Sequence, residues 1–138
     1  MRHVMIATAL LVAACGGKGP ADYSAVEGAA GAEAGAAASI IEEADGLWAE
    51  RIDADKLKAS LDKYEEAVAA DPANRHAYER LVRGWYFYGD GHTDDVDTKV
   101  ERWGVAIEWG AKCMALNDAF KAQIDAGEKE KDLSLIHI

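Results

Sequence analysis

From residue 39 onward, apolar residues recur at the spacing of an α-helix rather than that of a strand. Residues 56–70 carry the clearest pattern, because their large apolar positions are spaced four, three and four residues apart and so share one face of a helix. These positions are Leu57, Leu61, Tyr64 and Val68. We therefore predict a helix over 56–70 with Asp53 or Asp55 as its N-cap, preceded by a helix within 39–52.

Three further helices are predicted after this one. Asp71 and Pro72 end the second helix and start the third, because proline is tolerated in a first helical turn but not in a helix interior. We predict helices over 73–88 and 96–116 and a short one from 118 to 124. Residues 89–95 are rich in Gly and Asp and are predicted to form a loop. The third helix has one face that we expect in the core, formed by Tyr78, Leu81, Val82 and Trp85.

The predicted helix over 96–116 is apolar on two faces. One face carries Val100, Trp103, Ile107, Gly110 and Met114. The other carries Val105, Ala106, Trp109, Cys113 and Leu116. A helix of this kind is expected to have neighbours on both sides, as in a stacked helical array.

Residues of the tetratricopeptide repeat consensus occur in the second helix. Ser60, Tyr64, Ala67 and Pro72 match its small, aromatic, Ala and Pro positions. Their counterparts lie 46 residues later, at Ala106, Gly110, Cys113 and Asp118. That separation exceeds the usual period of about 34 residues, so one unit fits well and the next is distorted. We predict an all-α fold of antiparallel helix pairs in a degenerate, incomplete tetratricopeptide-like array; the alternative is a generic antiparallel bundle.

The N-terminus has the order of a bacterial export signal. Basic residues precede a short apolar stretch within 1–14, which is too short to span a bilayer as a helix. The string Leu11-Val12-Ala13-Ala14-Cys15 resembles a lipobox. That resemblance implies cleavage before Cys15, lipidation of its thiol and, with Gly16 next, the periplasmic face of the outer membrane. The alternatives are an ordinary secretory signal with a chance cysteine, or a buried first helix.

A spacer follows the candidate lipidation site. Fifteen of the 23 residues in 16–38 are Gly or Ala, and no apolar period is present. We predict that residues 15–38 form a lipidated cysteine with a tether, flexible at its start and partly helical in its alanine-rich half. The helical domain is then expected over 39–132.

Composition and motifs argue against several functions. The chain has 25 acidic and 15 basic residues, a net charge of −10, and without a basic stripe it is a poor nucleic-acid binder. It contains no glycine-rich phosphate loop, serine nucleophile elbow or Cys/His arrangement, so we predict no enzymatic activity and no cofactor. Cys113 is expected to be a buried free thiol, although a disulfide partner beyond the given C-terminus stays open.

Aromatic residues supply the candidate binding site. Residues 85–88 are four consecutive aromatics, which cannot all share one helix face. They either pack against neighbouring helices or line a groove for an apolar ligand or partner. The candidate ligand- or partner-binding residues are Tyr86, Tyr88, His92, Trp103 and Trp109.

The acidic stretch after these aromatics resembles a calcium loop only superficially. His92 replaces an oxygen ligand, and Asp95 stands where the loop needs glycine. We therefore predict no metal site there. The favoured interpretation is a helix N-terminus capped by Thr93, Asp94 or Asp95.

Together, the signal, the tether and two longer stretches resemble one family. The stretches are EEAVAADPANRHAYERLVRGWYFYGDGHTDD and ERWGVAIEWGAKCMALND. Over about residues 40–132 the chain resembles the TatT component of TRAP transporters, periplasmic lipoproteins with degenerate tetratricopeptide-like helices. The resemblance implies a non-catalytic accessory protein that binds the transporter's periplasmic substrate-binding protein and a hydrophobic or organic-acid ligand. It also implies a homo-oligomer, such as a trimer. The alternative is a tetratricopeptide scaffold lipoprotein for protein–protein interactions in the envelope.

The last six residues, LSLIHI at 133–138, lie outside this resemblance. They match the in-frame translation of a widely used transposase sequencing adapter. Family members are also considerably longer than this chain. We therefore expect a C-terminally truncated fragment with read-through after residue 132; a genuine terminal peptide is the alternative.

Overall fold

The structure is a computed structural model that describes residues 22–24 and 34–129. The predicted signal peptide, the lipidation of Cys15, most of the tether and the tail at 133–138 lie outside these residues. The described part contains five helices and no strand, which confirms the all-α prediction. The helices are α1 (Ala34–Ala49), α2 (Ala54–Ala70), α3 (Arg75–Gly91), α4 (Val96–Ala115) and α5 (Asp118–Asp125).

Short polar side chains define where four of the helices begin. Asp53 accepts hydrogen bonds from the amides of Asp55 and Lys56 at 2.9 and 3.0 Å and caps α2. Asp95 caps α4 by accepting a hydrogen bond from the Thr98 amide at 2.8 Å. It is one of the three residues that were predicted as alternatives for this cap. Asn74 and Asn117 cap α3 and α5. Because Asn74 is the cap, Pro72 lies in the turn before α3 and not in its first turn.

The helices pack as two pairs, α1 with α2 and α3 with α4, and α3 also packs against α2. The core lies among the first three helices. Its largest fully buried side chains are Tyr64, Tyr78, Leu57, Leu61, Leu81 and Val68. Ser60 is also fully buried, and its hydroxyl donates to the Ala44 carbonyl oxygen at 3.2 Å, which joins α2 to α1.

Helix α1 begins at Ala34, within the stretch predicted as a tether whose alanine-rich half was expected to be partly helical. Ala37 is buried, so this first turn contributes to packing. None of the described helices is both long and apolar enough to cross a membrane.

Helix α3 is longer than predicted, and the prediction of a loop over 89–95 was wrong for its first three residues. The helix continues through Gly91. Two contacts from α4 explain the extension. The Arg102 guanidinium donates to the Tyr88 carbonyl oxygen at 2.6 Å and to that of His92 at 3.5 Å, satisfying carbonyls at the helix end. Gly89 is buried beneath the Trp103 ring.

Within residues 22–24 and 34–129, helix α4 is not covered on both faces, contrary to the prediction. It packs on α3 and, less extensively, on α5, and its buried residues are small: Gly104, Ala106, Ala111 and Ala115. On the other face, Val100 and Ile107 are 51% and 64% exposed. Small residues let α4 approach α3 closely, and the exposed side chains of Val100 and Ile107 remain largely outside that contact.

Candidate functional site: an apolar groove between α3 and α4

An open cavity of about 650 Å³ lies between α3 and α4, and we call it the α3–α4 groove. Helix α3 contributes Val82, Arg83, Tyr86 and Phe87, and helix α4 contributes Trp103, Ala106, Ile107, Gly110 and Met114. The volume falls within the range of small-molecule sites, about 300–1,000 Å³. Apart from Arg83, the lining carries no charge.

Stacked aromatic rings form one wall of the groove. The rings of Tyr86 and Trp103 are nearly parallel, with centroids 6.0 Å apart and 18° between their planes. Gly89 makes room for the Trp103 ring, since a Cβ at that position would lie only 2.8 Å from the ring atoms Cδ1 and Nε1. Tyr86 keeps 53% of its surface exposed, so the stacked pair presents an aromatic surface to solvent.

Trp103 has a buried polar atom. Its Nε1 has no hydrogen-bond partner among the residues that the structure describes. A buried donor left unpaired costs about 1–3 kcal/mol. Within the described residues, the ring is held by its contacts with Tyr86 and Gly89.

Phe87 connects the groove to the core. Its ring meets Trp48 of α1 edge to face, with centroids 6.4 Å apart, while 43% of its surface stays exposed. Edge-to-face pairs of this kind contribute about 0.5–1.5 kcal/mol beyond the area they bury. Through Phe87, the wall of the groove therefore packs against α1.

Arg83 gives the groove its polarity. No acidic side chain in the described part of the chain forms an ion pair with Arg83, and its guanidinium has no hydrogen-bond partner there. Arg80, one turn earlier, behaves differently, because its Nε lies 3.6 Å from an Asp45 carboxylate oxygen. An apolar groove with one uncommitted guanidinium suits an occupant that has an apolar body and a single anionic group.

The structure brings together two of the five residues singled out by the sequence, Tyr86 and Trp103, and places the other three outside the groove. The Tyr88 ring lies under the Arg102 guanidinium at 3.6 Å and beside Trp85. The His92 ring hydrogen-bonds through Nε2 to the Arg51 carbonyl oxygen at 3.2 Å, which joins the α1–α2 and α3–α4 loops.

Trp109, the fifth residue, lies at the edge of the core. Its ring meets Tyr78 edge to face with centroids 5.9 Å apart, and the Lys112 ammonium lies 4.8 Å above it. Tyr88, His92 and Trp109 thus have contacts within the fold that account for them.

The sequence did not identify most of the groove. Val82 was assigned to the core, Ile107 and Met114 to a covered helix face, and Arg83 and Phe87 were not singled out. The sequence feature that could have indicated the groove was the presence of two apolar faces on α4. With eight residues, α5 is too short to cover a face that extends along most of α4.

A polar cluster elsewhere joins the first three helices. Asp45 Oδ1 accepts from the Tyr64 hydroxyl at 2.5 Å and from His76 Nε2 at 3.1 Å. Burial acts to raise the pKa of Asp45, but these hydrogen bonds and the charges of His76 and Arg80 hold that pKa below its ordinary value. Burial, with the Asp45 carboxylate beside it, raises the pKa of the Tyr64 hydroxyl. Each member has a packing partner, so the cluster is structural.

The acidic loop and the cysteine have local roles. Within the described residues, no three His, Cys, Asp or Glu side chains converge as metal ligands would. Hydrogen bonds from the hydroxyl and amide of Thr98 lower the pKa of Asp95, as expected for a helix cap. Cys113 is a half-buried free thiol, and burial raises its pKa, which lowers its nucleophilic reactivity at neutral pH.

No protein-family model, curated protein or solved structure matches this chain. The candidate site therefore stands on its geometry alone.

Proposed function

We propose that this chain is a lipid-anchored, non-catalytic accessory component of a TRAP transporter, which binds the periplasmic substrate-binding protein through the α3–α4 groove. The observation that carries the proposal is the open apolar groove with its stacked Tyr86–Trp103 wall. The lipobox-like N-terminus and the residue patterns shared with the TatT component direct the proposal to this transporter class. Homo-oligomerisation is part of the same proposal.

The exposed side chains at the groove suit a protein interface. Tyr86, Phe87 and Ile107 are each more than 40% exposed and lie close together. Aromatic residues are enriched in the cores of interfaces, where a few of them supply most of the binding energy. Large contiguous apolar patches are uncommon on monomeric proteins without such a role.

Binding to a TRAP-transporter periplasmic substrate-binding protein tests the proposal. Tyr86→Ala should weaken the Kd by about 10-fold or more, with little change in Tm, because Tyr86 is half-exposed and lines the groove. Tyr88→Ala is the matched variant. It should lower Tm by removing the ring beneath Arg102 and leave the Kd unchanged. Isothermal titration calorimetry and thermal unfolding give the two readouts; equal loss of affinity in both variants contradicts the proposal.

The groove is also proposed to accept a hydrophobic organic acid, with Arg83 contacting its carboxylate. Decanoate and decanol share an apolar chain and differ in charge. Arg83→Gln should weaken decanoate binding about 10-fold and leave decanol binding unchanged, since a charge-assisted hydrogen bond contributes about 1.5–3 kcal/mol. Intrinsic tryptophan fluorescence, with Trp103 in the wall, provides the measurement. Equal affinity of the wild-type chain for the two probes argues against a carboxylate contact.

A scaffold lipoprotein for envelope protein–protein interactions is the second candidate, and the exposed aromatics of the groove suit it equally. The scaffold function differs from the transporter function in the protein that the groove binds. If no binding to the substrate-binding protein is detected while the groove variants alter another envelope complex, the scaffold function replaces the transporter function.

A further inference from the structure

One stripe of α4 has the spacing of a surface that packs against another helix. Its members alternate at intervals of four and three residues, and we call them the α4 stripe: Val96, Val100, Trp103, Ile107, Gly110 and Met114. Such intervals keep residues on one side of a helix and are typical of a helix–helix seam. The last four members line the α3–α4 groove, and the two valines continue the stripe with more than half of their surface exposed.

The length of the groove matches a short helix. Its lining on α4 extends from Trp103 to Met114, which is eleven residues or about 16 Å at the rise of an α-helix. The same length corresponds to three turns of an occupant helix. Apolar side chains at positions i, i+4, i+7 and i+11 of that helix would all face the groove, as in helices that bind by their apolar face.

Gly110 forms a low point in the middle of the α4 stripe. A Cβ built there would have only Val82 Cγ2 within 4 Å, at a distance of 3.9 Å. Ala106, one turn earlier, also has a small side chain, whereas Trp103 and Met114 are large. The groove therefore has room at Gly110 for one large apolar side chain of an occupant, packed as a knob into a hole.

An extended peptide fits this groove less well than a helix does. Within residues 22–24 and 34–129 there is no strand, and so no sheet edge to which a peptide could add through backbone hydrogen bonds. The polar side chains of the lining are Arg83, Tyr86 and Trp103, and the Trp103 Nε1 is buried. They are too few to pair the backbone of an extended segment. A helix pairs most of its backbone groups internally.

Arg83 determines the charge of the occupant on the α3 side. Its side chain is exposed, and no acidic group in the described part of the chain forms an ion pair with it. An aspartate or glutamate on the flank of an occupant helix would form a charge-assisted hydrogen bond with this guanidinium.

We infer that the α3–α4 groove receives an amphipathic helix of the binding protein. Large apolar side chains of that helix lie along the α4 stripe, one of them over Gly110, and a carboxylate meets Arg83. The identity of the partner rests on the proposed function, whereas the helical form of the occupant rests on the groove itself. Because the proposed organic acid uses the same lining, the helix and the acid exclude one another.

Gly110→Leu tests the hole in the stripe with the substrate-binding protein as partner. The leucine fills the space and removes a glycine from a helix interior, so Tm should be unchanged or higher while the Kd weakens by about 10-fold or more. Gly46→Leu is the matched control, because position 46 is exposed on α1 and a Cβ there has nothing within 4 Å. It should bind as wild type does. Wild-type affinity in Gly110→Leu overturns the inference.

A synthetic peptide tests the helical form of the occupant without the binding protein. It has about 18 residues, with leucine at the four positions given above, one glutamate on a flank, and alanine and lysine elsewhere. Tryptophan fluorescence of the full chain reports binding. A version with proline at its centre should bind about 10-fold more weakly, because proline breaks the helix. A glutamine version should also bind more weakly to wild type, but not to Arg83→Gln. Equal binding of the proline version overturns the inference.

Hydrogen exchange of the binding protein in the complex separates the inference from the proposed function. Slower exchange confined to one helix of that protein supports the helical occupant. Slower exchange in a loop or at a strand edge overturns it and leaves the proposed function standing. No binding at all contradicts the proposed function, and the peptide then decides the form of the occupant. A wild-type chain that self-associates, and that Gly110→Leu makes monomeric, has a second copy in the groove, which also overturns the inference.

Discussion

At the scale of single residues, Gly84 decides how closely α3 approaches the first helix pair. A Cβ built at this position would lie well inside contact distance of Leu61 Cδ2 and 3.0 Å from Trp48 Cζ3. Leu61 is fully buried and Trp48 is nearly so, and a shift of either side chain would have to be absorbed by the packed core. The sequence pattern placed Val82 on the core face of this helix and did not identify Gly84 as the contact.

Gly84→Ala is expected to destabilise the protein by about 1–3 kcal/mol through overpacking, less the gain of up to about 1 kcal/mol in helix propensity. Gly46→Ala is the control, because a Cβ there has nothing within 4 Å and the position is exposed on α1. It should be neutral or stabilising. Urea unfolding measures the difference in the free energy of unfolding between the two variants. Equal stability would show that a Cβ at position 84 fits without overpacking.

At the scale of elements, the sequence predicted α2, α4 and α5 to within two residues at each end. Regular apolar spacing and short polar caps such as Asp53 and Asp95 carry that information locally. The end of α3 could not be predicted in this way. Gly89 and Gly91 have the composition of a loop, and the Arg102 side chain that satisfies the helix end comes from another element.

Contacts between helices could not be predicted from the sequence either. Asp45 binds Tyr64 and His76, which lie 19 and 31 residues further along the chain. No periodicity relates these three positions. The cluster appears only once α1, α2 and α3 are packed.

The Asp45 cluster predicts a pH dependence of stability. The folded-state pKa of Asp45 is lowered, so its contribution is present above the unfolded-state pKa of about 3.9 and is lost as pH falls through the folded-state value. The contribution should be below about 1 kcal/mol, because Asp45 keeps 40% of its side chain exposed and solvent screens it. Asp45→Asn should thus be less stable than wild type at pH 7, with the difference shrinking below pH ~4. Urea unfolding of wild type and Asp45→Asn, from pH 7 to below pH ~4, measures this stability difference. A difference that grows as the pH falls contradicts the prediction.

At the scale of the whole molecule, the predicted fold class is confirmed, and the candidate site was predicted in part. Tyr86 and Trp103 were chosen for their ring chemistry, and the structure stacks them. Tyr88 and Trp109 were chosen on the same basis and are used in packing. Residue type alone does not separate these outcomes, since an aromatic ring stabilises a core and an interface through the same contacts.

The open side of the groove also depends on the whole molecule. The sequence shows two apolar faces on α4, and only the packing decides which one meets α3. Close approach occurs through Gly104, Ala106 and Ala111, and Trp103 also contacts α3 at Gly89. Ile107 and Met114 of the other apolar face then line, with Trp103, an accessible groove next to Arg83.

The measurement that tests the central claim most directly is titration of the substrate-binding protein into two matched variants, Ile107→Glu and Ile52→Glu. Both isoleucines are exposed, at 64% and 87%, but only Ile107 lines the groove. A carboxylate at 107 must be desolvated when the groove is occupied, so binding should weaken by about 10-fold or more, while Ile52→Glu should bind as wild type does. Wild-type affinity in the Ile107→Glu variant would contradict the groove as the binding site.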